Sequence, residues 1–258
     1  MRTAEAPRTH RYYRDELADD PHPETCVLSL PRFFALVPAA GTGARMGADL
    51  PKQYLLLGHR TLLERTVAVL AAVPRVARVV VVTAPGDRHA ATLRYDPKVH
   101  LAPVGGATRA ASVRAGLDAL GAKSDDWVLV HDAARACLTV SEVDRLIDAL
   151  EHDAVGGLLA CPVADTLKQS DGAGRVRQTV PRDAMWRAAT PQMFRLELLR
   201  RALDAPGALQ EATDESGAVE AIGYAPRLVA GLAGNLKITT PDDLALAAAI
   251  LAARGELE

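Results

Sequence analysis

The sequence lacks the features that mark disulfide-rich, metal-binding and membrane proteins. Its three cysteines, Cys26, Cys137 and Cys161, form no C-x-x-C pair, which argues against a disulfide framework or a structural zinc site. Its seven histidines show no H-E-x-x-H spacing. No uncharged apolar run approaches the roughly 18 to 20 residues of a membrane span, and no signal peptide is evident. We therefore expect a soluble, cytoplasmic protein with no membrane partner.

The net charge and the chain length limit the expected partners and the number of domains. The formal net charge of -2 gives no general attraction to nucleic acid, so any phosphate site must depend on a local cluster of cations. The 258 residues, 49% of them apolar, suffice for a buried core, and we expect one domain over residues 32–258. Residues 1–31 predict a disordered N-terminal extension; the alternative is a segment whose tyrosines, Tyr12 and Tyr13, dock on the domain or on a partner.

Alternating strand and helix patterns predict an α/β fold. Continuous apolar runs are typical of strands in a sheet that is covered on both faces, and they occur at residues 33–37, 79–83, 100–104, 127–130, 155–160 and 236–239. Helical spacing at 62–70, 111–120 and 143–150 predicts right-handed crossovers, hence a Rossmann-like, mostly parallel twisted sheet with helices on both faces. A last helix is predicted with Thr240 as N-cap, Pro241 at its first position and Asp243 at its third.

Residues 164–187 interrupt this alternation. They predict two short strands around a glycine-containing turn, which together form an inserted β-hairpin arm. Because an isolated two-stranded hairpin is marginally stable in water, we expect the arm to pack against a second subunit of a homodimer.

A glycine-rich loop with two cations follows the first predicted strand. Residues 36–52 read LVPAAGTGARMGADLPK, which is neither a Walker A loop, since no lysine follows the last glycine, nor a dinucleotide fingerprint, since the third glycine is missing. Gly41 and Gly43 allow backbone amides to approach an anion, while Arg45 and Lys52 add positive charge. The pattern favours a triphosphate site at the carboxyl edge of the sheet; the alternative is an ordinary turn with surface cations.

Ordered motifs along the chain resemble a known family. The segment PAAGTGARM at 38–46 is similar to the signature of sugar-phosphate nucleotidyltransferases. Further motifs narrow the resemblance to the 2-C-methyl-D-erythritol 4-phosphate cytidylyltransferase family over about residues 33–253: PKQY at 51–54, GG at 105–106, HDAAR at 131–135, DTLK at 165–168, TPQ at 190–192, TDE at 213–215 and NLKIT at 235–239. The resemblance implies transfer of CMP from CTP to 2-C-methyl-D-erythritol 4-phosphate, with release of pyrophosphate, in non-mevalonate isoprenoid biosynthesis.

The resemblance also implies roles for individual residues. The catalytic residues would be Arg45, Lys52 and Lys237. Binding of CTP would involve Pro38, Ala39, Ala40, Gly41, Gly43, Gly106, Arg109, Ser112 and Ala133. Binding of the acceptor would involve Asp132, Arg135, Thr166, Arg182, Thr190 and Thr213, with Arg182 acting on the phosphate bound by the neighbouring subunit. Asp132 is also the candidate contact for Mg2+ or another divalent cation, directly or through water or phosphate.

Simpler interpretations and other functions remain open at this point. By spacing alone, Gly106 could belong to an ordinary helix cap, Asp132 could cap the next segment, and Arg182 could be one surface cation among several. Ala136 stands where the family usually carries proline, which predicts a looser loop after Arg135. The alternative functions are cytidylyl transfer to another polyol phosphate, such as ribitol 5-phosphate, and an inactive nucleotide-binding module that keeps the fold.

Overall fold

The computed structural model describes residues 30–41 and 50–257. Within it, residues 31–41 and 50–257 belong to one compact unit. The N-terminal extension that we expect over residues 1–31 falls almost wholly outside the described residues, and so do Cys26, Gly43 and Arg45. In the described part of the chain, no helix is long and apolar enough to cross a membrane.

The fold is built on a seven-stranded sheet. In chain order, the strands and helices that the structure describes are β1 Phe33–Pro38, β2 Leu56–Leu57, β3 Arg60–Thr61, α1 Leu62–Ala72, β4 Val76–Val82, β5 Val99–Ala102, α2 Arg109–Ala119, β6 Trp127–Val130, α3 Val140–Leu150, β7 Gly156–Pro162, β8 Leu167–Ser170, β9 Val176–Val180, β10 Trp186–Arg195, α4 Leu196–Leu203, α5 Ala208–Glu211, α6 Glu215–Ala221, β11 Arg227–Ala230 and α7 Pro241–Ala253. The sheet order is β11-β7-β10-β6-β1-β4-β5. Neighbouring strands are parallel, except that β10 runs antiparallel to both β6 and β7. The predicted mostly parallel α/β sheet is confirmed.

Both faces of the sheet are covered, as the continuous apolar runs predict. Successive residues of β1 point to opposite faces: Ala35 and Val37 belong to one core cluster, and Phe34 and Leu36 to the other. Helices α1 and α3 contribute to the first cluster, and α2, α4 and α6 contribute to the second.

The helix starts follow the predicted capping chemistry. Thr240 caps α7: its side chain accepts a hydrogen bond from the backbone of Asp243, and the Asp243 carboxylate accepts one from the backbone of Thr240. Pro241 occupies the first helical position, so this predicted helix start is confirmed. The same reciprocal arrangement begins α1 and α3.

Two parts of the strand prediction are wrong. The predicted strand at 236–239 does not form, because the backbone of Ile238 is used elsewhere: its N–H donates to the carbonyl of Ala134 at 2.8 Å and its carbonyl accepts from Lys52 Nζ at 3.3 Å. The short strands β2 and β3, and the strands β10 and β11 of the main sheet, were not predicted. In β10, Pro191 stands mid-strand, where a residue without an N–H argues against a strand.

The predicted hairpin arm is confirmed as local structure. Strands β8 and β9 pair antiparallel, with Leu167 opposite Val180. Nearly every residue of the arm is exposed, including the large apolar side chains of Val176 and Trp186. The role of the arm in a homodimer stays a prediction.

Candidate active site

The predicted nucleotide residues gather around one cleft at the carboxyl edge of the sheet. The cleft has a volume of about 560 Å³ and lies between the end of β1, the start of α2 and the loop after β6. Of the residues predicted for the site, those lining it are Pro38, Ala39, Ala40, Gly41, Lys52, Gly106, Arg109, Ser112, Asp132, Ala133 and Lys237. Gly43 and Arg45 lie outside the described residues. Segments far apart in the sequence thus line the same cleft, as open α/β sheets place their ligand sites.

A side-chain amide holds the end of β1 in place. The buried Gln53 donates through Nε2 to the carbonyl of Ala39 at 2.8 Å and to the carbonyl of Gly41 at 3.1 Å. Both carbonyls are thereby satisfied. The short 3-10 turn Lys52–Tyr54 is therefore tied to the chain directly after β1.

The loop that leads into α2 packs closely against the chain just after β1. Ser112 folds back on the preceding turn: its hydroxyl accepts from the Gly106 N–H at 3.1 Å and donates to the Thr108 carbonyl at 2.9 Å. A Cβ added at Gly105 would lie 2.3 Å from Cβ of Ala40, so only glycine allows this approach.

Asp132 is the electrostatic centre of the cleft. Its Oδ1 accepts from Arg109 Nε at 2.9 Å, its Oδ2 lies 2.8 Å from Lys237 Nζ, and Arg135 Nε is 3.7 Å from Oδ2. Burial alone would raise the pKa of Asp132, but the three cations outweigh it and hold this pKa well below its ordinary value. Asp132 is therefore ionised throughout the neutral range.

A buried carboxylate on α6 completes the chain of charges. Glu215, 1% exposed, accepts two hydrogen bonds from Arg109, at 2.6 Å from Nη1 and 3.1 Å from Nη2. Burial acts to lower the pKa of Arg109, but Glu215 and Asp132 raise it above its usual range, so the guanidinium keeps its charge. Arg109 is thus held in a fixed position between two carboxylates.

Thr190 is predicted to bind the acceptor, and it lies directly beneath Asp132. Its Oγ1 accepts from the Asp132 N–H at 3.1 Å and forms a hydrogen bond with Nδ1 of His131 at 2.9 Å. Thr190 lies in an irregular stretch of β10, where the register to β7 shifts between Ala188 and Gln192; such bulges redirect side chains beside active sites. Burial lowers the pKa of His131 to about 4, so its imidazole is neutral near pH 7.

A second, smaller cavity of about 290 Å³ adjoins the cleft at Lys237, which lines both. Its other polar lining includes Arg135, Arg187 and Asn235. Arg135 donates through Nη1 to the Asn235 carbonyl at 2.7 Å, which fixes the loop after β6 to the segment that carries Lys237. The neighbouring Ala136 is 2% exposed and packs in an apolar cluster with residues of α1 and α7.

Four predicted acceptor residues line neither cavity: the buried Thr190 described above, and Thr166, Arg182 and Thr213. Thr166 and Arg182 lie on the exposed arm, where Arg182 donates to the carbonyl of Ala164, and Thr213 is exposed just before α6. Their roles stay predictions.

Several side chains that build the site have no predicted binding or catalytic role. Gln53, His131, Glu215 and Asn235 all lie inside the recognised motifs, and so does Gln192, which connects two of them. The Nε2 of Gln192 donates to the carboxylate of Asp214, the N-cap residue of α6, at 2.9 Å, and its Oε1 accepts from the N–H of Ser216 at 2.7 Å. Membership of a motif was the available signal, but the partner of each side chain could not be deduced from it.

The described residues do not form a metal site of their own. No group of three histidine, cysteine or carboxylate side chains in them could hold an ion. Both oxygens of Asp132 are already bonded to cationic side chains, and both oxygens of Glu215 accept from Arg109. Direct metal ligation by Asp132 thus finds no support in this geometry.

Comparison with known proteins gives one consistent result. The family model for 2-C-methyl-D-erythritol 4-phosphate cytidylyltransferase (IspD) matches residues 33–253. The enzyme of that name from Chromobacterium violaceum is 57% identical over 225 residues, which cover 87% of this chain and 100% of the relative. The corresponding enzyme from Laribacter hongkongensis is 56% identical, covering 85% of this chain and 96% of the relative.

Solved structures agree with these relatives. A crystal structure of 4-diphosphocytidyl-2C-methyl-D-erythritol synthase superposes with a TM-score of 0.76 at 41% identity and covers 86% of this chain and 98% of its own. The 2-C-methyl-D-erythritol 4-phosphate cytidylyltransferase from Thermus thermophilus gives a TM-score of 0.71 at 37% identity, covering 85% of this chain and 98% of its own.

Proposed function

We infer the roles of the site residues from a family membership: the chain belongs to the 2-C-methyl-D-erythritol 4-phosphate cytidylyltransferase family. The protein transfers CMP from CTP to 2-C-methyl-D-erythritol 4-phosphate and so acts in the non-mevalonate route to isoprenoids. The proposal concerns how this chain carries out that reaction.

The arrangement of two cavities around Lys237 carries the proposal. The larger cleft is lined by backbone and small residues at the end of β1 and the start of α2, which suits a base, a ribose and phosphates. The smaller cavity is lined by three cations, Arg135, Arg187 and Lys237, which suits the phosphate of the acceptor. We assign CTP to the larger cleft and the acceptor to the smaller cavity.

For the nucleotide, we propose that few side chains read the base. Gly106, Ser112 and the backbone of Ala39 and Ala40 would contact cytosine. The remaining predicted CTP residues that line the cleft, Pro38, Gly41, Arg109 and Ala133, would shape its walls, and Gly43 would add an amide from the loop.

The reaction needs no general base. The acceptor is a phosphate monoester whose second pKa is about 6, so it is mostly dianionic at neutral pH. Its oxygen attacks the α-phosphorus of CTP, a new P–O bond forms, the bond to the bridging oxygen breaks, and pyrophosphate leaves. The obstacle is the approach of two anions and the charge that develops on the leaving group.

Lys237 is the proposed link between the two substrates. An ammonium group carries three donors, and in this structure one contact is made with Asp132. Asp132 therefore orients Lys237, while the remaining donors are available to phosphate oxygens in both cavities. Lys52 and Arg45 would stabilise the charge on the triphosphate.

A divalent cation, when bound, would add positive charge at the triphosphate. Because Asp132 and Glu215 are already paired with cationic side chains, we assign such an ion to the phosphates of CTP rather than to protein ligands.

We further propose that the protein works in the cytoplasm as a homodimer, with the arm of one subunit bringing Arg182 and Thr166 to the acceptor site of the other. The exposed apolar side chains of the arm support this, since a solvated hairpin would leave Val176 and Trp186 in water.

A mixing experiment tests the arrangement. Arg182→Ala and Lys52→Ala homodimers should each be nearly inactive. A heterodimer of the two has one site in which both residues are intact, if Arg182 acts across the subunits. We therefore expect mixing with subunit exchange to restore activity. No recovery despite exchange, or a monomer in equilibrium sedimentation, would show that Arg182 does not act in trans.

The acceptor is tested by pyrophosphate release from CTP and Mg2+ with 2-C-methyl-D-erythritol 4-phosphate, ribitol 5-phosphate or no acceptor. We expect release with the first alone. Comparable kcat/KM for ribitol 5-phosphate would move the assignment to polyol phosphates in general.

A further inference from the structure

Two residues that line the smaller cavity each have a buried polar atom that lacks a hydrogen-bond partner among the described residues. These atoms are Oδ1 of Asn235 and Nε of Arg135. Asn235 is 4% exposed. Buried polar atoms are nearly always paired, so an unpaired acceptor and an unpaired donor at the same cavity indicate a missing partner.

The Asn235 side chain has no freedom to satisfy Oδ1 by turning. Its Nδ2 donates to the Thr190 carbonyl at 2.8 Å, and its backbone carbonyl accepts from Arg135 at 2.7 Å. Exchanging the two ends of the amide would place Oδ1 against the Thr190 carbonyl, where two acceptors would face each other. Oδ1 is therefore held in its position as an unpaired hydrogen-bond acceptor.

The chemistry of the proposed acceptor matches this acceptor atom. Phosphate oxygens at neutral pH are mostly deprotonated and are suited to the cations, not to a carbonyl-type oxygen. A hydroxyl group donates one hydrogen bond and accepts others, so it can pair with Asn235 Oδ1. 2-C-methyl-D-erythritol 4-phosphate has three hydroxyl groups beside its phosphate.

We propose that Asn235 Oδ1 accepts a hydrogen bond from a hydroxyl group of the acceptor polyol. Asn235 is then a substrate-binding residue that contributes to acceptor selectivity, while Arg135, Arg187 and Lys237 hold the phosphate. This inference rests on the proposed placement of the acceptor in the smaller cavity. The ribose of CTP also carries hydroxyl groups, but Asn235 lines the smaller cavity and not the nucleotide cleft.

The sequence offers a direct binding assay, because Asn235 is the only asparagine of the chain. Protein labelled with 15N-asparagine gives a single side-chain amide pair in an NMR spectrum. We expect this pair to shift when 2-C-methyl-D-erythritol 4-phosphate is added together with a CTP analogue whose α,β-bridge is carbon. The CTP analogue alone, or inorganic phosphate alone, should leave it in place. A shift of equal size with the CTP analogue alone, or none on adding the acceptor, would overturn the proposal.

Kinetics with truncated acceptors provide a second test. We would compare the acceptor with its three analogues that each lack one hydroxyl, using the wild type and Asn235→Ala. In the wild type, one analogue should lose about tenfold in kcat/KM, as for one hydrogen bond. In Asn235→Ala that analogue and the full acceptor should be equal within about twofold, while the KM for CTP is unchanged.

The two possible failures are distinguishable. If Asn235 serves only to hold Thr190, its loss will lower kcat/KM for all acceptors equally, and each analogue will keep its wild-type penalty; this would overturn the proposal. Should Asn235→Ala fail to fold, the NMR assay on the wild type still decides. Wild-type protein that shows no turnover of the acceptor would instead refute the proposed function.

Discussion

The buried pair of Arg109 and Glu215 predicts a large loss of stability in Glu215→Gln. The substitution keeps the shape of the side chain but removes its charge and one of its two acceptor oxygens. Arg109 would then keep Asp132 at 2.9 Å as its remaining carboxylate partner and lose the bidentate contact that holds it to α6.

The magnitude follows from the burial of Glu215, since Arg109 is only partly buried. Burial raises the pKa of Glu215, and Arg109 opposes that shift. Removing one partner of a buried ion pair costs about 3–5 kcal/mol. We expect the lower end, about 3 kcal/mol, because Arg109 retains Asp132 and its side chain is 28% exposed, whereas that of Glu215 is 1% exposed. For a domain of this size, that loss lowers Tm by about 6–12 °C.

Urea unfolding and calorimetry of the substrate-free protein measure the effect. The matched control is Glu220→Gln, which makes the same chemical change at an exposed position of the same helix and should alter stability by less than about 0.5 kcal/mol. If the two variants unfold within about 1 kcal/mol of each other, the ion pair does not stabilise the fold and the reasoning fails.

Three further outcomes are expected. Lys52→Ala should lower turnover by about 100- to 1000-fold, as for loss of one preorganised donor, while Arg94→Ala, at an exposed position that lines neither cavity, should not; near-normal turnover in Lys52→Ala would contradict the assignment. Because the folded pKa of His131 is about 4 and the unfolded one about 6.5, the unfolded chain binds the extra proton between these values, so stability is full above pH 6.5 and falls toward pH 4. Between pH 7 and pH 5, the free energy of unfolding of the wild type, and of the exposed control His100→Asn, should fall by about 2 kcal/mol more than that of His131→Asn. Equal pH profiles would refute this. Ala136→Pro should raise Tm by about 1–4 °C, since Ala136 is the second residue of a turn closed by a 3.4 Å hydrogen bond, where proline is preferred; a lower Tm would show that the buried site cannot hold the ring.

The parts of the fold that depend on residues close to each other in the sequence could be predicted from it. The start of the last helix is an example, because Thr240, Pro241 and Asp243 carry the whole capping signal within four positions. Strand β6 was predicted with its correct bounds, since an apolar run covered on both faces needs no partner to be recognised. The strand predicted at 236–239 was wrong because its backbone groups bind to residues more than a hundred positions away.

In the active site, too, local sequence signals were predictive and contacts between distant residues were not. The glycine loop with Lys52 could be placed at the carboxyl edge of the sheet from its own residues, whereas the resemblance to a known family implied that Gly106 and Lys237 belong to the same site. The pairing of Arg109 with Glu215 joins residues 106 positions apart, and no local pattern encodes it. The unpaired Oδ1 of Asn235 could not be predicted either, since only the folded structure shows which buried polar atoms lack a hydrogen-bond partner.

Strand β10 joins the arm to the active site mechanically. It begins at Trp186, paired with Pro162 at the base of the arm, passes Thr190 beneath Asp132, and ends paired with β6. Only three residues separate Trp186 from Thr190 along this strand, although the pairing with β7 is irregular between Ala188 and Gln192. We therefore expect a displacement of the arm to reach the backbone of Asp132 through Thr190, so that redesign of the arm would also change the geometry around Lys237.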